Sequence, residues 1–319
     1  MAILYKYMPF ITDYLKNPTI KLSPPVLLND PFESRNAQAI SDFMYEKFRD
    51  EYTLFSIRGE IKRAKRTKIL ITRAPMKTIR RSAVFSLSES NRSLLMWAHY
   101  ADQHRGFVIG IEDDFLSLDA KKPIPSNLIY TPTPVKVNYD TVRFDVSEFN
   151  PLEENFNHIT RLLAMKMLTT KSDDWLYEKE HRVILPLAFA DEIRFTGLIA
   201  DLGYRLRKHR DANDFEIKYR QKNKPVYINS DVKMNSDVYD ALSSNKHFLF
   251  LKKLPPKKIH SIIFGVRAKD DDIANITEQI SENKKELGHI KVYQYILCDK
   301  QFSIIKEPVE HDFHEKWII

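Results

Sequence analysis

Strand-like and helix-like segments follow one another along this chain without a regular strand–helix–strand beat. That order confines it to an α+β fold of mainly antiparallel sheets with flanking helices. LYKYM, TIKLS, AVFSLS, GFVIGIE, VKVNY and HRVILPLAF read as strands, and so do KPVYINS, KIHSIIFGV, KVYQYILC and FSIIKE nearer the end. Between them, ITDYLKN, residues 36–81, SLLMWAHYAD, residues 152–170 and residues 271–287 carry helical spacing, such as Ala39, Ile40, Phe43, Met44 and Phe48. Residues 117–134 hold four prolines and read as a loop, while residues 191–224 fit no element clearly. No linker interrupts the chain, so the expectation is one domain over 1–319 with a helical insertion at about 36–81.

Glycine is scarce. The seven present form neither GxG nor GxxxxGK[ST], which excludes a Walker phosphate loop and disfavours a dinucleotide-binding fingerprint. The one cysteine, Cys298, allows no internal disulfide and no thiolate cluster, and its setting in KVYQYILCD reads as a structural strand position. The opening MAILYKYMPF lacks the charged-then-apolar pattern of a signal peptide, and no apolar run approaches the roughly 20 residues of a membrane span. The expectation is a cytoplasmic protein without a membrane partner.

The net charge of +7 is unevenly spread. Lys62, Arg63, Lys65, Arg66, Lys68, Arg73, Lys77, Arg80 and Arg81 follow one another with no acid among them. Such a run either engages a nucleic-acid backbone or is a solvated helix face, and the sequence leaves both open. A second patch, Arg205 to Lys224, is diluted by acids and reads as solvated surface.

Four polar-aromatic segments stand out. LLMWAHYADQHRG crowds Trp97, His99 and Tyr100 before a strand. On a helix Met96 and Tyr100 share one face, and Leu95 and His99 another. These residues are either a core-facing helix with a satisfied histidine or a stacking and hydrogen-bonding surface. WLYEKEHR, taken as a strand, puts Glu178 and Glu180 on one side, where they need a cation, a sugar hydroxyl or a shared proton to coexist. A salt-bridged surface strand, using Lys179 and Arg182, is the plainer account. FSLSES places Ser86 and Ser88 on one strand face, for a ligand or for a helix cap. NDPFE is a turn set by Asp30-Pro31 with Phe32 as its anchor.

Taken with LYKY and LPPKKIHSIIFG, these segments resemble, in order and over nearly the whole chain, a bacterial domain-of-unknown-function family (number twenty-nine seventy-one). That resemblance implies a toxin or phage-defence role and no particular activity. A more distant resemblance is to ADP-ribosyltransferases of the arginine–serine–glutamate type. They use a basic residue on the first strand, a serine-x-serine strand and a glutamate-x-glutamate before a later strand. Tyr5-Lys6-Tyr7, Ser86-Leu87-Ser88 and Glu178-Lys179-Glu180 occur here in that order. Lysine replaces the usual arginine, so the bidentate fork to a diphosphate is missing.

This second resemblance implies NAD as substrate and an oxocarbenium-like transition state, as in glycoside cleavage. Glu180 would hold the ribose hydroxyl and stabilise the cation, and Glu178 would position or deprotonate the acceptor. Ser86 and Ser88 would brace the glutamate or ribose and Lys6 would meet the diphosphate. Tyr7, Trp97 or Tyr100 would stack the nicotinamide, with His99 beside them. The acceptor stays open between nucleic acid, approached through Lys62, Arg63, Lys65 and Arg66, a protein side chain, and water. A neutralising or activating partner protein also fits a toxin. Two rivals stay open: a metal-dependent nuclease, with Glu178, Glu180 and Asp30 or Asp113 around magnesium, and a non-catalytic nucleic-acid or partner binder.

Overall fold

A computed structural model describes residues 2–53, 61–116, 128–151, 155–197, 217–218, 226–228, 239 and 242–309. The strands are β1 (Ile3–Met8), β2 (Thr19–Leu22), β3 (Ser82–Ser88), β4 (Phe107–Glu112), β5 (Val135–Lys136) and β6 (Asn138–Tyr139). They continue with β7 (Thr170–Lys171), β8 (Glu180–Pro186), β9 (Glu192–Phe195), β10 (Ile217–Lys218) and β11 (Val226–Ile228). The last are β12 (Phe248–Lys253), β13 (Ile259–Phe264), β14 (Lys291–Leu297) and β15 (Ile304–Pro308). The helices nearest the site are α1 (Gln38–Thr53), α2 (Ile61–Arg80), α3 (Leu94–Tyr100) and α4 (Phe156–Thr169).

An eight-stranded sheet, ordered β15-β14-β13-β4-β1-β3-β8-β5, packs on a five-stranded sheet, β10-β11-β9-β12-β2. Within the large sheet only β13 and β14 run parallel, and the small sheet is antiparallel throughout. The fold is therefore α+β with mainly antiparallel pairing, as the element order predicts.

Alternation along β3 and β8 decides which side chain meets which layer. Ala83, Phe85, Leu87, Val183 and Leu185 enter the core between the two sheets, with Ile193, Phe195, Phe248 and Phe250 opposite. Val84 and Ile184 point the other way, into a second core closed by Ile40 and Met44 of α1, Ile71 and Ile79 of α2, and Leu163 and Leu168 of α4. A third cluster, around Trp97, Tyr7, Val108, Ile263 and Tyr295, seats α3. Ser86, Ser88, Glu180 and Arg182 share the face of Val84 and Ile184.

Three expectations change in detail. The span 36–81 forms two helices, α1 and α2, with Pro75 tolerated inside α2. ITDYLKN keeps only one 3-10 turn, Tyr14–Lys16, since Asp13 takes a left-handed backbone (φ 58°) and leaves the turn uncapped by its side chain. VKVNY divides at Val137 into β5 and β6, which join different sheets. Residues 117–127 of the proline loop lie outside the described residues, as does most of 191–224.

β1 and β3 are neighbours joined through a single residue pair, Tyr5 with Ser88, whereas β1 pairs with β4 over six residues. Beyond that pair the two strands part, and the gap opens into a cavity lined by both.

Candidate functional site

The cavity measures about 430 Å³ and is lined by Tyr5, Lys6 and Tyr7 of β1, Ser86 and Ser88 of β3, and both Glu178 and Glu180. It is closed by Met96 and Tyr100 of α3 and by Glu33, Lys171 and Arg182. Its size lies within the roughly 300–1,000 Å³ range of small-molecule sites.

Glu178 and Glu180 reach it by a route that strand alternation alone does not describe. Residues Asp173–Glu178 form a 3-10 turn capped by Ser172, and Lys179 takes a left-handed backbone (φ 46°) before β8 begins at Glu180. The Ser88 hydroxyl donates to the Glu178 carbonyl at 2.6 Å and fixes the turn against β3. Both carboxylates are then buried, not surface-exposed: Glu178 and Glu180 are each 4% exposed.

What lets them coexist is a pair of buried cations. Lys171, at the end of β7, donates to Glu178 Oε2 at 2.6 Å and to Glu180 Oε2 at 3.3 Å. Arg182, fully enclosed, forks onto Glu180 through Nε to Oε1 and Nη2 to Oε2, each at 2.8 Å. Its Nη1 donates to the Leu168 carbonyl at 2.7 Å, and Nη2 also reaches Glu33 Oε1. Burial pushes the Glu180 carboxyl up, but the charge and hydrogen bonds of Arg182, with Lys171, outweigh it and hold the group at about 2. Burial likewise works against the Lys171 ammonium, yet Glu180 and Glu178 raise it above the ordinary lysine range. Glu180, Lys171 and Arg182 therefore carry their charges at neutral pH.

Glu33 arrives on the NDPFE turn. Asp30 Oδ1 accepts from the Phe32 amide at 2.8 Å, the Glu33 amide donates to the Asp30 carbonyl at 3.3 Å, and the side chain is thrown inward to Arg182. Phe32, expected as the anchor, is instead 52% exposed and covered by the Arg143 guanidinium at 5.3 Å. Burial, only partly offset by Arg182 and Lys171, raises the Glu33 carboxyl above the ordinary range. Its Oε2 has no hydrogen-bond partner.

The remaining predicted residues fall into two groups. Tyr100 lines the cavity, donates to Glu178 Oε1 at 2.5 Å and accepts from Asn29 Nδ2 at 3.2 Å. Lys6 leaves β1 on the opposite sheet face from Glu180, because two residues along the strand it shares the face of Leu4, which lies in the inter-sheet core. It reaches the same cavity through the β1–β3 gap, donating to the Ser86 carbonyl at 3.0 Å with its ammonium 5.1 Å from the Phe85 ring centre. Burial pulls its ammonium down to about 8. Trp97 cannot stack on a ligand. It is 0% exposed, donates to the Asn91 carbonyl at 2.8 Å, and packs edge-on against Tyr7 and Tyr295. Tyr7 is also buried, with its hydroxyl donated to the Ser90 carbonyl at 2.9 Å. His99 is exposed beside Tyr177 and does not line the cavity.

The basic run lies on α2, with Arg66, Lys68, Arg73, Lys77 and Arg80 exposed while Ile71 and Ile79 are buried. The side chains of Lys62, Arg63 and Lys65 lie outside the described ones. Among the described residues, no three His, Cys, Asp or Glu side chains are grouped to hold a metal, and no helix is long and apolar enough to cross a membrane. Asp30 is committed to its own turn, and Asp113 is absent from the cavity wall.

Lys171 and Glu33 were given no role by sequence reasoning, and Arg182 only that of a salt-bridge partner on a surface strand, whereas it is 1% exposed. The signal for Arg182 was present: Glu180, Arg182 and Ile184 alternate on one strand face. An apolar Ile184 on that face implies burial, and buried charges must pair.

Residues 96–183, which include α3 from Met96 onward, Lys171, Glu178, Glu180 and Arg182, match the family model described as "Protein of unknown function (DUF2971)". No curated protein and no solved structure matches the chain.

Proposed function

We propose that the protein consumes NAD, cleaving the bond between nicotinamide and ribose, as an ADP-ribosyltransferase-like toxin or defence effector. With water as acceptor the same chemistry is NAD hydrolysis. The observation that carries this reading is the order β1-β3-β8: the lysine, serine and glutamate segments occupy three neighbouring strands, and all of them line one cavity.

Glycosidic cleavage builds positive charge on the ribose, and a site that opposes it needs a fixed anion away from bulk water. Glu180 answers that need: the Arg182 fork sets its orientation and keeps it ionised. Each carboxylate oxygen has more than one acceptor direction, so a ribose hydroxyl can still bond there. Tyr100, the partly exposed ring of the cavity wall, takes over the stacking role from Trp97 and Tyr7. Lys6 meets the diphosphate as a point charge.

The test is incubation of the purified full chain with NAD labelled in the nicotinamide or the adenosine half, alone, with cell lysate, and with total nucleic acid. Nicotinamide should be released, and the fraction that takes up adenosine label identifies the acceptor. Glu180→Gln should abolish release. No nicotinamide above the blank under all three conditions overturns the reading.

A further inference from the structure

Of the three carboxylates in the cavity, two have both oxygens engaged. Glu180 gives Oε1 and Oε2 to Arg182, and Oε2 also to Lys171. Glu178 gives Oε1 to Tyr100 and Oε2 to Lys171. Glu33 gives Oε1 to Arg182 and leaves Oε2, in a side chain 2% exposed, without a partner. A buried oxygen left unsatisfied is uncommon in native proteins and calls for a reason, such as a catalytic role or a group that arrives later.

Its position supplies one. Glu33 and Lys171 line both the main cavity and a second cavity of about 190 Å³, whose walls include Asp30, Arg143, Thr170 and Ser172. Thr170, another residue of that second wall, also has its Oγ1 buried without a partner. Two residues that each carry an unpaired polar atom, both in the wall of one small cavity of mixed polar and apolar lining, fit a hydroxyl-bearing guest, which donates one hydrogen bond and accepts another.

We infer that Glu33 is the general base of the reaction and that the second cavity admits a hydroxyl acceptor, water or an alcohol, to it. This rests on the NAD reading above and changes it in one respect: the base is Glu33, with Glu178 holding Lys171 and Tyr100 in place. In the step, the acceptor oxygen bonds to the ribose carbon as the carbon–nitrogen bond to nicotinamide breaks. Nicotinamide leaves neutral with that electron pair, and the acceptor proton passes to Glu33 Oε2. The chemistry of the groups agrees, since an oxygen already held by a guanidinium or an ammonium is a poor proton acceptor. Desolvation moves Glu33 the opposite way, toward greater basicity.

The experiment compares nicotinamide release by the full-length protein, Glu33→Gln and Glu33→Ala, each with and without sodium formate, with circular-dichroism melts as a fold control. Glu33→Gln keeps an oxygen for Arg182 and serves as the variant that stays folded. Both variants should lose about 100-fold or more in rate, the lower end of what a general base contributes. Formate, a carboxylate small enough for the space left by truncation, should restore part of the Glu33→Ala rate and leave Glu33→Gln unmoved. A Glu33→Gln rate within about threefold of the parent overturns the proposal while leaving the NAD reading intact. So does a loss in folded Glu33→Ala that formate does not restore, which marks Glu33 as a partner of Arg182 only. Absence of release by the parent protein overturns the NAD reading and this proposal with it.

Discussion

The Lys171 ammonium stands 2.6 Å from Glu178 Oε2, and each of the two side chains is 5% exposed. Glu180 lies 3.3 Å from the same nitrogen, so one cation holds two acids that would otherwise repel each other. Removing it by Lys171→Met leaves Glu178 without its ion-pair partner and Glu180 with the Arg182 fork alone. Breaking a buried pair in this way costs about 3–5 kcal/mol. Urea denaturation at pH 7 should show a drop of that size, and a change below about 1 kcal/mol would mean that water or Arg182 replaces the lysine.

Acid should weaken the fold through Glu180. The group's folded value, about 2, lies below the ordinary 4.5, so its contribution is fully present above 4.5 and is lost as pH falls toward 2. Glu33 acts with the opposite sign, because its raised carboxyl binds a proton more readily in the fold than in the unfolded chain. It offsets part of the loss. Denaturation midpoints measured from pH 6 down to 2 should fall steeply for the parent protein and less so for Glu180→Gln. Parallel curves would show that Glu180 is not the group responsible.

The same pairing makes Glu180→Gln a costly change for stability as well as for activity. An exposed strand would have tolerated it, whereas here Arg182 loses half of a buried fork. A melting temperature unchanged within one degree would argue against the buried arrangement.

Alternation and turn chemistry made the sheet-forming strands and the NDPFE turn legible, and Ser86 and Ser88 were correctly placed on one face. The spacing also sorted Met96 with Tyr100 and Leu95 with His99 onto separate faces of α3, but it did not say which face is the inner one; the structure buries Met96 and exposes His99. Three-dimensional closure was not legible. Trp97 has the composition of a stacking residue, but its burial follows from Tyr7, Tyr295 and His104 closing round it, residues far apart along the chain. The Glu178–Glu180 pair looked like a strand pattern because nothing local announces a left-handed Lys179. Lys171 was invisible as a site residue because its partners are acids that reach it only after the 3-10 turn has formed.

Lys6 offers a chemical handle. An amine at about 8 is a far better nucleophile near neutral pH than an ordinary lysine at 10.5. Brief acetylation at pH 8, followed by peptide mass spectrometry, should modify Lys6 ahead of lysines at the ordinary value. NAD should protect it if the diphosphate lies where we propose. Equal labelling with and without NAD would remove Lys6 from the binding role.

The α2 run is tested by salt. Each phosphate neutralised contributes roughly −0.7 to −0.9 to the slope of log affinity against log salt. Replacing Lys62, Arg63, Lys65 and Arg66 with Ser should therefore flatten the slope by about 3 if all four meet a nucleic-acid backbone. Fluorescence anisotropy with single- and double-stranded RNA and DNA provides the measurement. Binding indifferent to the substitutions would assign the run to solvent and turn attention to a protein acceptor or water.

The lone Tyr5–Ser88 pair also divides the large sheet into two cooperative blocks, β4 with β1 on one side and β3 with β8 on the other. Amide protection spreads through continuous ladders, so the two blocks should exchange their hydrogens with separate free energies of opening. A molecule wedged between Lys6 and Ser86 would stitch them together. Occupancy of the cavity would then register as the merging of two exchange rates into one, far from any atom the ligand touches.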